Sequence, residues 1–485
     1  MRYILAIDQG TTGSRAVVYD KKGRCVCSAY QEFPQYFPKP GWVEHDPEEI
    51  WQSVNAVIQK VLARVPAASI TAIGITNQRE TTVLWDKKNG QPLYNAIVWQ
   101  CRRTAERCQR LKARRGMSAM IKEKTGLPID AYFSSTKLEW LLARVKGDNV
   151  AFGNTDAWLL WKLTGGNTHA TDYTNASRTM LFNINKLEWD GDLLKFFKVP
   201  SRILPRVLPS SGEFGRTVKI GRLPAGIPIT GMAGDQQAAL FGQACFEPGT
   251  SKNTYGTGSF LLLNTGYKRV NSRHGLISTL ACGPEGKLAY ALEGSVFIAG
   301  AAIQWLRDQL GIIKNSADSE KMATAVADNA GVYFVPAFVG LGAPYWDQQA
   351  RGTICGLTRG ASRSHLARAA LEAMCYSTRD VFDTMRRESG IRMKELKVDG
   401  GAASNNFICQ FQADILGMPV SRPRVIETTS LGAAYLAGLA VSYWRDSKEI
   451  KKFWAQDRDF KPSISKGAAD SLYRGWLNAI KKTRA

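Results

Sequence analysis

Apolar and polar positions near the start of the chain come in short blocks. "YILAI" (3–7) reads as a strand, "RAVVYD" (15–20) as a second, and "DKKG" (20–23) as a tight turn into "RCVCSAY" (24–30), so the segment predicts a three-strand meander. "DQGTTGS" (8–14), all glycine and polar residues, joins the first two strands. A similar object recurs in "SKNTYGTGSFLLLN" (251–264), where "YGTGS" interrupts two strand-like stretches. "PEEIWQSVNAVIQKVLARV" (47–65) predicts a helix, with Pro at its start and apolar residues at helical spacing. "TTVLWDKKNGQPLYNAIVW" (81–99) reads as a hairpin turning at Asn89-Gly90. The repeated turn predicts two duplicated domains, 1–243 and 244–485, with the boundary after "DQQAALFGQ" and a hinge between packed bodies rather than a tether.

The turns carry the first hint of chemistry. A Gly-Thr-rich hairpin offers closely spaced N–H groups and hydroxyls with little bulk, which suits phosphate oxygens. One such turn is an ordinary hairpin; two, one per half, could clamp a phosphate chain between domains. The GxxxxGK[ST] pattern is absent and "GTGSFL" fails GxGxxG, which excludes a P-loop and a dinucleotide fingerprint. Asp8 ends the first strand, Asp235 stands where "IPITGMAG" meets a helix start, and Asp399 precedes "GGAASNNF". Asp235 has a plainer reading as a helix N-cap. In "ITNQRETTVLWD" (75–86), Arg79 adjoins Glu80 between two apolar strands. Neighbours in a regular strand point to opposite faces, so either one of the two is solvated or the backbone is irregular and both enter a pocket.

At 485 residues the chain is too long for one core, and its 44% apolar and 22% charged composition is that of a soluble globular protein. The nine cysteines form no CxxC pair, and with four histidines no zinc spacing appears. Their odd count and scatter predict reduced thiols in a cytoplasmic setting. No signal peptide and no membrane-spanning run are expected, since "YILAIDQG" is short and soon charged. The net charge of +22 raises the idea of an anionic partner, yet the basic residues are spread and clusters such as "RRGMSAMIKEK" and "KKTRA" are short. They read as solvated surface, and no nucleic-acid partner is expected.

"AIDQGTTGSRAVVYD", "GITNQRETT", "YNAIVWQCRRT", "TDYTNASRTMLFNI", "AGDQQAALFGQ", "NTYGTGSF", "VPAFVGLGAPYWDQQARGTICGLTRG" and "VDGGAASNNFICQFQADILG" together resemble the FGGY carbohydrate kinases, within the actin-like ATPase superfamily. The resemblance runs from residue 3 to about residue 445. "NQRETT", "WQCRR" and "GAPYWD" resemble the members that phosphorylate glycerol. It implies an α/β fold of two actin-like (ribonuclease H-like) domains facing each other across an ATP and substrate cleft. The implied reaction is MgATP-dependent phosphorylation of glycerol to sn-glycerol 3-phosphate, in a cytoplasmic homo-oligomer, dimer or tetramer, without membrane insertion. Other polyols or ketoses, and an actin-like nucleotide switch, are the alternatives.

The resemblance also assigns roles. Asp235 becomes the general base, and Asp8 and Asp235 lie near Mg²⁺. Thr11, Thr12, Gly13 (through its N–H) and Arg15 hold phosphates, opposed by Thr257. Gly300, Gln304, Gly401 and Asn405 line the adenosine side. Arg79, Glu80, Tyr132, Asp235 and Gln236 surround the polyol, while Trp99 and Phe260 cover its carbon edge. Glycerol has three hydroxyls and little apolar mass, so a donor-only Arg beside an acceptor-only Glu suits it, and the irregular-backbone reading of the Arg79–Glu80 pair follows.

Overall fold

The computed structural model describes residues 1–145 and 147–484; Ala485, which ends the "KKTRA" stretch, lies outside the described residues. Two mixed sheets organise the chain. The first runs in the order Ser211–Arg216, Pro228–Gly234, Ile70–Asn77, Tyr3–Gln9, Gly13–Tyr19, Cys25–Glu32. Its N-terminal strands form the predicted antiparallel meander, with Asp8 opposite Arg15, and Tyr3–Gln9 then pairs parallel with Ile70–Asn77. The second sheet runs Ile277–Cys282, Leu288–Val296, Ser259–Gly266, Ser251–Tyr255, Leu396–Asp399, Val420–Pro423, Gln456–Phe460. Here too a strand with an antiparallel hairpin partner on one side, Ser251–Tyr255, takes a parallel neighbour on the other. The same plan is laid down twice.

Strands buried on both faces need a cover on each. Helix Pro47–Leu62 supplies one for the first sheet: Asp46 caps it by accepting from the Glu48 N–H, and Ile50, Val54, Val57, Ile58 and Val61 are buried at helical spacing. The other face is covered from the far end of the chain by helix Thr428–Ala440. Its Leu431, Ala434 and Tyr435 share a core with Ile4, Ala6, Val17 and Phe241. The two sheets thus fall on either side of residue 243, while this helix crosses back to the first. It packs against helix Asp235–Gly242 at Gly432, where a Cβ would lie 1.8 Å from the Ala238 carbonyl oxygen.

The hairpin expected over 81–99 forms with an irregular register, Thr82 pairing antiparallel with Ile97 and Trp85 with Pro92. Gly90 turns with a φ of 67° and the Leu93 N–H meets the Leu84 carbonyl. Val83–Asp86, however, gives its ladder to Val150–Gly153, and Ala96–Ile97 pairs with Glu44–His45. These added partners bury Leu84 with Phe152 and Ile97 in a third core, which a two-stranded ribbon alone would leave wet.

Candidate active site

Strand Ile70–Asn77 ends just before the Arg79–Glu80 pair, and Glu80 takes a φ of 61°. A left-handed residue that is not glycine breaks the strand's alternation, so adjacent side chains reach the same space. Arg79 and Glu80 are both buried and both line a cavity of about 500 Å³. The first turn supplies Thr11 and Thr12 to it, and Trp99 and Tyr132 pack edge to face along one wall. Asp235 and Gln236 enter from the helix start, and Thr257, Phe260 and Gln304 from the second half. A neighbouring cavity of about 500 Å³ holds Gly300, Gly401 and Asn405 and shares Gly256, Thr257 and Gln304 with the first.

Three expected residues line neither cavity. The Gly13 carbonyl closes the first turn by accepting from the Gly10 N–H at 2.9 Å, and a Cβ on Gly13 would lie 2.5 Å from Tyr30 Oη. Arg15 is ion-paired with Glu427, at the start of helix Thr428–Ala440, and lies over the Tyr30 ring. Glu427 thus engages one terminal nitrogen of the Arg15 guanidinium in this arrangement. Asp8, next to last in its strand and half-buried, faces Arg15 across the ladder; desolvation and the Glu427 charge push its carboxyl up to about 7 against the pull of Arg15, with Asp235 adding to the rise. The N-cap reading of Asp235 is corrected: Gly234 occupies the cap, and Asp235 is the first helical residue, its Oδ1 accepting from the Gln236 N–H at 2.7 Å. Asp399 is an internal tie, accepting from Gln243 Nε2 at 2.8 Å, Thr254 Oγ1 at 2.5 Å and Thr428 Oγ1 at 2.6 Å.

Charge in the cavity floor is tightly arranged. Arg79 Nε lies 3.1 Å from Asp235 Oδ1, and Nη1 and Nη2 donate to the two oxygens of Glu293 at 2.5 and 3.0 Å. Nη1 also meets Gln237 Oε1 at 3.2 Å, and Nη2 meets Tyr132 Oη at 3.4 Å. Glu80 spends Oε1 on Arg178 Nε at 2.6 Å, which leaves Oε2 for the cavity. Burial works to raise the Glu293 carboxyl, but Arg178 and Arg79 outweigh it and hold it at about 2. Lys252 Nζ lies under the cavity, donating to Gln236 Oε1 at 2.5 Å and Thr254 Oγ1 at 2.7 Å; burial pushes the amine down to about 8.

Arg178, Glu293 and Lys252 are the members that sequence reasoning missed. Arg178 and Lys252 sit inside quoted motifs, "TNASRT" and "SKNTY". Glu293 had a faint signal of its own, a lone charge in the apolar strand "LAYALEGSV".

The arrangement can present donors and acceptors to a small polyhydroxyl molecule, hold a carboxylate beside it, and seat a second ligand next door. Among the described residues no cluster of three or more His, Cys, Asp or Glu could cage a metal. Asp8 and Asp235 are a sparse, oxygen-only donor pair, the kind used by a hard cation that a phosphate ligand also binds.

Comparisons with known proteins fit this geometry. The N-terminal domain of the FGGY family of carbohydrate kinases matches residues 3–242, and the family's C-terminal domain matches residues 251–441. The chain is 58% identical to glycerol kinase 2 of Thermotoga maritima, over 100% of this chain and 99% of that one. It is also 58% identical to a glycerol kinase of Caldanaerobacter subterraneus, covering 99% and 98%. Among solved structures it is similar to Plasmodium falciparum glycerol kinase with ADP, at a TM-score of 0.92 and 37% identity, covering 100% and 99%. A ligand-bound xylulose kinase from Lactobacillus acidophilus shares the fold, at a TM-score of 0.89 and 24% identity, covering 99% and 97%.

Proposed function

The chain belongs to the FGGY family of carbohydrate kinases, and from that premise we propose that it transfers the γ-phosphoryl group of ATP to a terminal hydroxyl of glycerol, giving sn-glycerol 3-phosphate. The observation that carries this reading is the Arg79–Glu80–Asp235 cluster. A fixed guanidinium, an acceptor at Glu80 and the open carboxylate of Asp235 meet in a cavity joined by Thr257 and Gln304 to a second one. Hydroxyls are read by donors and acceptors together, and an analogue lacking one leaves a buried charge without its partner.

In this reading Asp235 accepts the proton of the attacking hydroxyl as the O–P bond forms, while Glu80 and Tyr132 orient the remaining hydroxyls. Trp99 and Phe260 exclude water from the carbon edge. Thr11, Thr12 and Thr257 hold phosphate oxygens from opposite halves, and the second cavity takes the adenosine. Asp8 and Asp235 would hold Mg²⁺, which spreads the negative charge of the transferring group. A phosphate chain reaching Arg15 would take it from Glu427.

Coupled ADP release with MgATP tests the proposal, with and without glycerol, xylulose, ribulose, erythritol or dihydroxyacetone. Strong stimulation by glycerol, with glycerol 3-phosphate as product, is the expected result. Stimulation by another member of the panel alone would move the substrate, and release indifferent to all of them would point to a nucleotide switch.

A further inference from the structure

Glu293 sits within strand Leu288–Val296 of the second sheet, fully buried, yet every guanidinium it meets comes from the first half of the chain. Oε2 accepts from Arg79 Nη1 at 2.5 Å, and Oε1 accepts from Arg79 Nη2 and Arg178 Nη2, each at 3.0 Å. Arg178 then turns its Nε to Glu80. The chain Glu80–Arg178–Glu293–Arg79 carries two charges of each sign on side chains that are at most 2% exposed. Such a set is tolerated only while its members stay matched.

Arg178 and Glu293 do not line the cavity, whereas Arg79 and Glu80 do. The left-handed backbone at Glu80 leaves its carbonyl to the hydroxyls of Ser134 and Thr82 rather than to a ladder, so Arg178 is what fixes its carboxylate. Glu293 grips both terminal nitrogens of Arg79 and so aims the Nε edge at Asp235. A bidentate grip of this kind sets orientation as well as charge. The geometry points to Arg178 and Glu293 as positioning residues for polyol discrimination. The polyol-reading pair is built beside one sheet, and Glu293 of the other aligns Arg79 directly and Glu80 through Arg178, so the cavity is complete only when the halves meet as they do here. This inference deepens the glycerol reading above and rests on it.

Glu293→Gln in the full chain tests it, with kinetics on glycerol, on 1,3-propanediol (which lacks the middle hydroxyl) and on ATP. The expected result is a glycerol KM raised about tenfold or more, an ATP KM within about twofold of wild type, and a glycerol-to-propanediol ratio in kcat/KM lowered about tenfold. A merely structural role would lower activity on both polyols together and leave that ratio alone. The paired variant Arg178→Gln with Glu293→Gln removes one charge of each sign and guards against simple misfolding. It should fold and show the same loss of discrimination. An unchanged ratio in either folded variant, or failure of both to fold, overturns the positioning role. Wild-type protein without glycerol-dependent ADP release would instead overturn the glycerol reading, so the two failures are distinguishable.

Discussion

Asp235 Oδ1 lies 3.1 Å from Arg79 Nε, and of the three described carboxylates around that guanidinium it is the most open: its side chain is 32% exposed, against 2% for Glu80 and 0% for Glu293. Openness to the cavity separates a carboxylate that can take a substrate proton from Glu80, one oxygen of which is held by Arg178, and from Glu293, gripped by two arginines. Asp235→Asn should therefore lower kcat about 10²- to 10⁴-fold, the span ordinarily due to a positioned base. Calorimetric titration with ADP should show nucleotide binding kept. A variant that keeps its turnover would remove Asp235 from the mechanism.

Glu80 is expected to act on binding rather than on chemistry. Glu80→Gln keeps the shape but leaves Arg178 with a surplus charge in a buried site. Glycerol KM should rise about 10- to 100-fold, and unfolding stability should fall by about 3 kcal/mol, since one partner of a buried pair has lost its charge. Urea unfolding beside steady-state kinetics reads both. A KM that moves without any stability change would mean that Arg178 finds another partner.

What could be read from the sequence was local. Strand, turn and helix signals within short windows give the first meander and helix Pro47–Leu62, because burial there follows a period set by the backbone. The Arg79–Glu80 knot was visible as charge between two apolar strands. What escaped depends on partners distant in sequence. Asn89-Gly90 does turn a hairpin, but nothing near it announces that Val83–Asp86 also takes Val150–Gly153 as a ladder partner. The resemblance gives Arg15 to phosphate, and nothing near it in the chain announces its ion pair with Glu427. Glu293 read as an oddity in an apolar strand until Arg79 and Arg178 were brought against it.

The crossing of helices Asp235–Gly242 and Thr428–Ala440 leaves no room at Gly432, where a Cβ would lie 1.8 Å from the Ala238 carbonyl oxygen and 3.0 Å from the Gly242 nitrogen. Backbone on both sides cannot yield as a flexible side chain would. Gly432→Ala should cost about 3 kcal/mol, at the upper end of overpacking penalties. It should also depress activity, because the helix that is pushed away starts at Asp235. Gly467→Ala is the control, since its Cβ would meet only Ser465 Oγ at 3.9 Å. Equal melting temperatures for the two variants would contradict the close approach.

His45 makes the fold sensitive to acid. Its ring is buried, packed edge to face on Phe33, with Nε2 2.7 Å from Gln35 Oε1 and Nδ1 3.3 Å from Gln78 Nε2. Those partners suit a neutral imidazole that donates from Nε2 and accepts at Nδ1. Burial pushes its pKa from the ordinary 6.5 down to about 3. On acidification the unfolded chain takes up a proton near pH 6.5 and the folded one only near pH 3, so this contribution is complete above pH 6.5 and is lost as pH falls between those values. The slope is about 1.4 kcal/mol per pH unit, or about 2 kcal/mol between pH 6.5 and 5. Asp156 and Asp380, whose carboxyls burial pushes up to about 7, act in the opposite direction but equally in any His45 variant. The difference between wild type and His45→Asn in urea unfolding free energy should therefore shrink by that amount from pH 6.5 to 5. A difference that stays constant over that interval would mean that His45 is already charged in the folded protein. The consequence reaches the cavity, because Gln35, which His45 holds, is part of its lining.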